Sequence, residues 1–374
     1  MEKVISIKNK IAPWFFYAGL VLLLFVDYVS ATYVAVTYAG KLIQLALVCL
    51  FVKLILTRYS LKEWLVILLL LGLGVYSYLT TDQYTALEIF LFVVAAKGIQ
   101  PRTAMGIYLV FVGGVTIAAF TASVTGLFGE VYQALDFRGT GVQIRYCFGY
   151  NHPNTCHIVM LQLMLAGIWY FWEKIRWYHI LVLGILNTVL FFFTASRTNL
   201  LLGSVLLILL LFAKIKSALI QYRGIYTVNY LLVAVSVLLS VLAVLTGTRW
   251  KVLEWMDKLW TKRVYYAYVE AADSVPSLFS GVDLQISCDM GFVKMFYNYG
   301  AVISLLLLAG LLWLIYDTSR KKDFAACICI FAGIVFLLGE KFSSGEFITR
   351  NFLMLYTIGL WRAHETDKPK EQIN

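Results

Sequence analysis

Charge is scarce in this chain. Of 374 residues only 14% are Asp, Glu, Lys or Arg, where soluble domains carry about 25%. A set of soluble globules is excluded by the converse surplus: 61% of residues are apolar, more than globular interiors of this total length can hide. No internal repeat, low-complexity tract or linker interrupts the sequence, so no part reads as a separate soluble domain. A glycine-rich phosphate loop and a GxGxxG are both missing, which removes the usual nucleotide sites. No His, Cys and Asp stand at metal-ligand spacing and no outward loop carries Asp-x-Asp, so neither a metal nor a cofactor is expected. The formal charge of +10 is scattered and comes with no nucleic-acid-binding motif, so nucleic acid is not an expected partner.

What the chain has is apolar runs. Stretches of about 18 or more residues, enough to cross a bilayer as a helix, recur from end to end. They predict an all-α polytopic membrane protein with about twelve spans, near 13–28, 36–56, 64–79, 85–97, 104–125, 153–172, 178–195, 198–213, 225–246, 292–316, 324–340 and 349–361. Lys3, Lys8 and Lys10 precede the first run as in a signal peptide, but Asp27 and Tyr28 stand where small residues would mark cleavage, so a retained helix is expected. The whole of 1–374 reads as one integral membrane domain.

Lys and Arg set the expected orientation. Lys53, Arg58 and Lys62, then Lys97 and Arg102, Lys174 and Arg176, Lys214, Lys216 and Arg223, Arg320 to Lys322 and the tail fall in alternate loops. The positive-inside rule then places both termini in the cytoplasm. Two larger outward loops, 129–152 and 247–291, also carry cations and are expected to hold short helices. In the second, Trp250, Leu253, Met256, Leu259 and Trp260 recur at helical spacing, which predicts an amphipathic helix lying on the outer leaflet.

Three outward segments concentrate the candidate site residues. Arg145 to Thr155 leads into the sixth run. Pro153 suits a first helical turn, with Asn151 or His152 as cap, and such a turn attracts anions. His157, one turn deeper, reads as a hydrogen-bonded bundle residue. Ser196-Arg197-Thr198-Asn199 puts an Arg between two very apolar stretches, where such a charge is costly and commonly functional, or else snorkels from a tight turn. Lys262 and Arg263 precede Phe279-Ser280-Gly281-Val282-Asp283 and Asp289-Met290-Gly291-Phe292, where Asp289 also fits a helix cap.

These segments resemble a family. Phe148 to Thr155 resembles the "GHPN" stretch of bacterial polysaccharide polymerases of the O-antigen polymerase (Wzy) type, and Ser196-Arg197-Thr198 their "SRT" stretch. Arg263 with Pro276, Phe279 and Gly281 resembles the "R … P … FGxG" stretch shared with O-antigen ligases. Asp289 to Phe292 with Tyr297-Asn298-Tyr299-Gly300 resembles "DNxY … YG". The likeness runs from Arg138 to Gly300. Ligase-like members carry His-Asn where this chain has Asp289-Met290, which favours the polymerase; Met290 and Ser280 also depart from the pattern.

The resemblance implies glycosyl transfer at the outer face of a bacterial cytoplasmic membrane, with an undecaprenyl-diphosphate-linked glycan as both donor and acceptor. A flippase and a chain-length regulator of the same pathway are the implied partners, beside membrane lipid. Arg197 and Arg263, then Arg145, with Asn151 and Asn154, would hold the diphosphate, because a guanidinium fork matches phosphate oxygens. Asp289 or His152 would take the acceptor proton. A ligase-like transferase to another acceptor and a flippase or transporter are the alternatives. Cys147 and Cys288 both fall in outward loops, and a disulfide between them is left open.

Overall fold

The computed structural model describes residues 2–135, 141–260, 262–272, 274–279, 281, 288, 290–339 and 361. In chain order these form α1 (Glu2–Ser30), α2 (Ala39–Leu56), α3 (Leu61–Thr81), α4 (Thr85–Ala95), α5 (Pro101–Val124), strands β1 (Tyr132–Leu135) and β2 (Gln143–Tyr146), and α6 (Pro153–Tyr170). Then come α7 (Trp177–Thr194), α8 (Arg197–Ile215), a 3-10 turn, α9 (Arg223–Thr246), α10 (Lys251–Leu259), α11 (Arg263–Ala272), α12 (Gly291–Lys321) and α13 (Phe324–Gly339).

Eight of these helices, α1, α2, α3, α5, α7, α8, α9 and α12, are long and apolar enough to cross a membrane. Large apolar side chains face outward along them, such as Leu65, Leu68 and Leu69 on α3 and Val110 and Ile117 on α5. In water such patches drive aggregation; in lipid they are the natural surface. The chain is an all-α, multi-pass membrane protein. The expected twelve spans are not all reached. The 11 residues of α4 rise only about 16 Å, roughly half a hydrocarbon core, and α13 is also short for a crossing. The last expected run, 349–361, lies outside the described residues except for Trp361.

Contacts group the chain into two compact units. One, here the hairpin unit, comprises Tyr17–Ala46 and Arg102–Gln221; the other, the broken-helix unit, comprises Met1–Phe16, Leu47–Pro101 and Tyr222–Asn374.

In the hairpin unit, α7 and α8 pack as an antiparallel pair. Gly203 makes their closest approach possible, since a Cβ there would lie 2.6 Å from Asn187 Oδ1. Tyr28 binds α1 to its neighbours: its hydroxyl is 2.6 Å from that of Tyr108 on α5 and donates to Gln162 Oε1 on α6 at 3.2 Å. The loop 129–152 holds strands rather than the expected short helix. β1 and β2 pair antiparallel, with Tyr132 opposite Tyr146, Gln133 opposite Arg145 and Ala134 opposite Ile144. The period of two puts Tyr132, Ala134, Ile144 and Tyr146 on one face and Gln133 and Arg145 on the other. At the hairpin's base Tyr33 donates to Glu130 Oε2 at 2.8 Å and accepts from Gln133 Nε2 at 2.6 Å. Burial pushes the Tyr33 hydroxyl up to about 12, against the lowering effect of the Gln133 bond, so it keeps its proton and both bonds. Gly149 adopts φ +83 with its α-carbon against Ala119, where a Cβ would meet the carbonyl oxygen at 2.4 Å; only glycine meets both demands.

In the broken-helix unit, α3 starts on a capping box: Ser60 Oγ accepts from Glu63 N and Glu63 Oε2 accepts from Ser60 N. Helix α9 is flanked by α11, α12 and α13. Helix α12 is interrupted at Gly300, which has φ 77 and ψ 167. The amides of Ala301 and Val302, freed by the break, donate to the carbonyls of Ser277 and Leu278 at 2.9 Å each. Ser304 Oγ lies within 2.8 Å of Met295 O and 2.7 Å of Gly300 O. The loop backbone therefore supplies the hydrogen bonds that the helix gives up, as backbone in an apolar setting requires.

The loop 247–291 carries two short helices, α10 and α11. Helix α10 is amphipathic as expected, but its stripe does not simply face lipid. Leu253 and Met256 are buried in the protein, while Val252, Trp255 and Trp250 are exposed. Asp257 in the last turn of α10 ties it to α11: its carbonyl accepts from Lys262 N at 2.9 Å and its Oδ1 from Tyr265 N at 2.8 Å.

Candidate functional site

The start of α6 is built as its sequence foretells. His152 is the cap, in extended conformation, and Pro153 fills the first helical position. The ring Nδ1 of His152 accepts from Asn154 N at 3.0 Å. That bond occupies the Nδ1 lone pair, so the neutral ring carries its proton on Nε2 and presents a donor there. As a general base His152 is therefore poorly disposed. Asn151, the other cap candidate, is exposed; its amide donates to Ala31 O at 2.9 Å and its carbonyl accepts from Gln133.

Arg145 is the buried cation of this unit, 8% exposed. Strand β2 turns it inward. Its Nε donates to Thr194 O at 2.7 Å and a terminal nitrogen donates to Asn154 Oδ1 at 2.7 Å. Thr194 is the last residue of α7, so the guanidinium meets a helix C-terminus, whose partial negative charge suits a cation. Asn154, expected at a diphosphate, instead spends its amide oxygen on Arg145, and its carbonyl lies 3.4 Å from Asn199 Nδ2. Asn199 Nδ2 also donates to Ser196 Oγ at 2.9 Å. The Arg145–Thr155 and Ser196–Asn199 segments, far apart in sequence, thus meet directly.

Behind them lies a polar chain that sequence reading only half saw. His157 is fully buried, with Nδ1 2.9 Å from Thr194 Oγ1 and Nε2 3.1 Å from Asn187 Oδ1. Asn187 Nδ2 donates to Leu200 O at 3.2 Å. A carbonyl only accepts, which fixes the amide's orientation and turns Oδ1 toward His157. The neutral ring is then the Nε2–H tautomer, and its Nδ1 faces the Thr194 hydroxyl, whose one proton is shared between His157 Nδ1 and Leu190 O, each 2.9 Å away. His157 is a bundle residue, as expected, and one residue, Thr194, joins it to Arg145. The signal for Asn187 and Thr194 was present only as polar residues within the largely apolar stretch of α7 after His179.

Arg197 sits otherwise than expected. It opens α8 after a tight turn in which Ala195 is left-handed (φ 52). The side chain is exposed, and among the described residues it makes no hydrogen bond or ion pair. The depth argued from its apolar neighbours is not there, because the chain reverses at this point; the costly buried Arg is Arg145. Arg263 opens α11 in the broken-helix unit and is half-buried. There Gly281 lies so close to α12 that a Cβ would fall 1.7 Å from Asn298 O, so Pro276–Gly281 and Tyr297–Gly300 also meet. Asp289, Ser280, Val282, Asp283 and Arg138 lie outside the described residues. Lys294, not singled out in the sequence, is buried one turn into α12. All six cysteines, Cys147 and Cys288 included, are free thiols.

Arg145→Lys should destabilise the protein by about 1.5–3 kcal/mol, because one ammonium cannot reach both acceptors and a charge-assisted bond is lost. Thermal unfolding in detergent measures it; an unchanged midpoint would mean that the fork is not needed.

The chain matches no family model, no curated protein and no solved structure.

Proposed function

We propose that this protein polymerises lipid-diphosphate-linked oligosaccharide repeats at the outer face of a bacterial cytoplasmic membrane. The observation that carries the reading is the pairing of the four short segments that resemble the polymerases. In the hairpin unit Arg145–Thr155 is hydrogen-bonded to the Thr194–Asn199 turn; in the broken-helix unit the Ser277–Gly281 loop is seated on the Gly300 break.

In this reading the acceptor hydroxyl oxygen attacks the anomeric carbon. The bond from that carbon to the diphosphate oxygen breaks, and the lipid diphosphate leaves with the electron pair. Asp289 takes the hydroxyl proton, and is preferred to His152, whose Nδ1 is engaged in the cap. Arg197, exposed and with its fork unspent, meets the departing phosphates, since preorganised cations stabilise charge as it develops. Arg145 holds the α6 mouth in place.

A transporter is the second reading, favoured by one feature: a helix broken within its apolar length, as in secondary carriers. In carriers the half-helix amides face substrate. Here the amides of Ala301 and Val302 are taken by Ser277 and Leu278, which supports the enzyme. A ligase-like transferase differs only in acceptor.

Both termini lie in the cytoplasm in this proposal. Single cysteines beside Arg145, His152, Arg197 and Arg263, in a protein otherwise free of cysteine, should react with an impermeant thiol reagent added from outside. Labelling at Arg197 only from the cytoplasm would sink both the topology and the activity. Deletion of the protein should leave single repeats on the lipid carrier outside the membrane, whereas loss of a flippase leaves none there.

A further inference from the structure

The start of α12 holds a buried cation with no counter-charge among the described residues. Lys294 is 8% exposed, and it makes no hydrogen bond or ion pair among the described residues beyond its backbone amide, which donates to Met290 O at 2.9 Å. It stands in the fourth position of a helix that begins at Gly291 and is capped by Met290, a residue with no side-chain oxygen to offer. Gly291, Phe292 and Val293 are buried as well. The amides of a helix's first turn have no partner within the helix, and the Met290 side chain makes no capping bond to them.

Helical side chains lean toward the N-terminus and lie over the preceding turn. Lys294 is therefore directed back over Gly291 and Met290, toward the same end at which those amides emerge. Two positive features converge there: a buried ammonium and a helix terminus. Each is costly to bury without an anion, and together they bind one well.

We propose that Lys294 and the first turn of α12 form a binding site for a phosphate group. A phosphate offers several acceptor oxygens, enough for the ammonium and more than one amide at once. The site stands on this geometry. Its use for the diphosphate of a carrier lipid, rather than for a membrane headgroup, rests on the polymerase reading.

The test uses the full-length protein, purified in detergent and in nanodiscs, and the variant Lys294→Met, which keeps the length of the side chain and removes the charge. Thermal stabilisation is titrated with inorganic diphosphate and with farnesyl diphosphate, and nanodiscs of phosphatidylglycerol are compared with phosphatidylcholine. In the wild-type protein at least one phosphate-bearing probe should stabilise, and Lys294→Met should weaken that response by about 10- to 100-fold in apparent affinity, the loss of one charge-assisted contact. Without ligand the variant should unfold at the same temperature or higher, because an unpaired buried charge has been removed. Response to farnesyl diphosphate places the group on a polyprenyl carrier. Response to phosphatidylglycerol alone places a headgroup there and leaves the site standing without support for the polymerase. Equal responses in both proteins to every probe overturn the proposal. So does a ligand-free variant that melts below the wild type, since Lys294 would then be serving a carboxylate of this chain.

Discussion

Replacing Arg197 with Lys should leave stability unchanged and lower polymer formation by about 10²–10³, the cost of one preorganised stabiliser of transition-state charge. The two halves of this expectation have separate grounds. Arg197 is exposed at the first position of α8 and holds no other described residue, so the change should move folding by no more than about 0.5 kcal/mol. The ammonium keeps the charge but cannot grip two phosphate oxygens in one plane. Cells carrying the variant should accumulate lipid-linked single repeats, and the purified variant should bind the lipid diphosphate poorly. Asp289→Asn is the companion measurement. It keeps the size of the side chain and removes only its charge, so it should express normally and bind the lipid diphosphate normally, yet accumulate the same single repeats for want of a base. Polymer of wild-type amount and length from both variants would remove these residues from the site. Loss of polymer without single repeats, in an Arg197 variant that folds, would turn the reading toward a transporter.

Gly281→Ala is expected to disrupt the broken-helix unit. The new methyl would sit 1.7 Å from Asn298 O and 2.2 Å from its carbonyl carbon. Both are backbone atoms of α12, which cannot rotate aside as a side chain would. The loop must withdraw, and with it go the bonds from Ala301 and Val302 to Ser277 O and Leu278 O. Overpacking costs about 1–3 kcal/mol, and each buried donor left unmet adds about 1–3 kcal/mol. The variant should therefore show a large fall in thermal midpoint or a loss of folded material on size-exclusion chromatography. Gly310→Ala in the same helix is the control. A Cβ there meets nothing within 4 Å, and alanine favours the helix by about 0.5–1 kcal/mol. Equal behaviour of the two variants would show that the loop does not sit against the break.

The sequence by itself determined the features that depend on near neighbours. Hydropathy places most of the long helices, from Ala39–Leu56 to Gly291–Lys321, because a helix satisfies its own backbone and its lipid-facing length is written in consecutive residues. Pro153 marked the start of α6, and the choice between Asn151 and His152 as cap was all that geometry had to settle. The helical spacing in 250–260 foretold an amphipathic helix, but not which face meets protein, because that depends on what lies opposite.

Tertiary structure decided the rest. Arg197 looked the deeper cation and Arg145 only the third choice for the diphosphate, since neighbouring apolar residues suggest burial only while the chain runs straight. The left-handed Ala195 reverses it and brings Arg197 out, while the pairing of β2 with β1 turns Arg145 inward onto Thr194 and Asn154. Nothing in the local pattern of α12 says that Ser277 and Leu278 will take the amides released at Gly300, or that no described residue will pair with Lys294. Those outcomes rest on partners distant in sequence, and a buried charge or a broken helix acquires its meaning only from the groups that fold beside it.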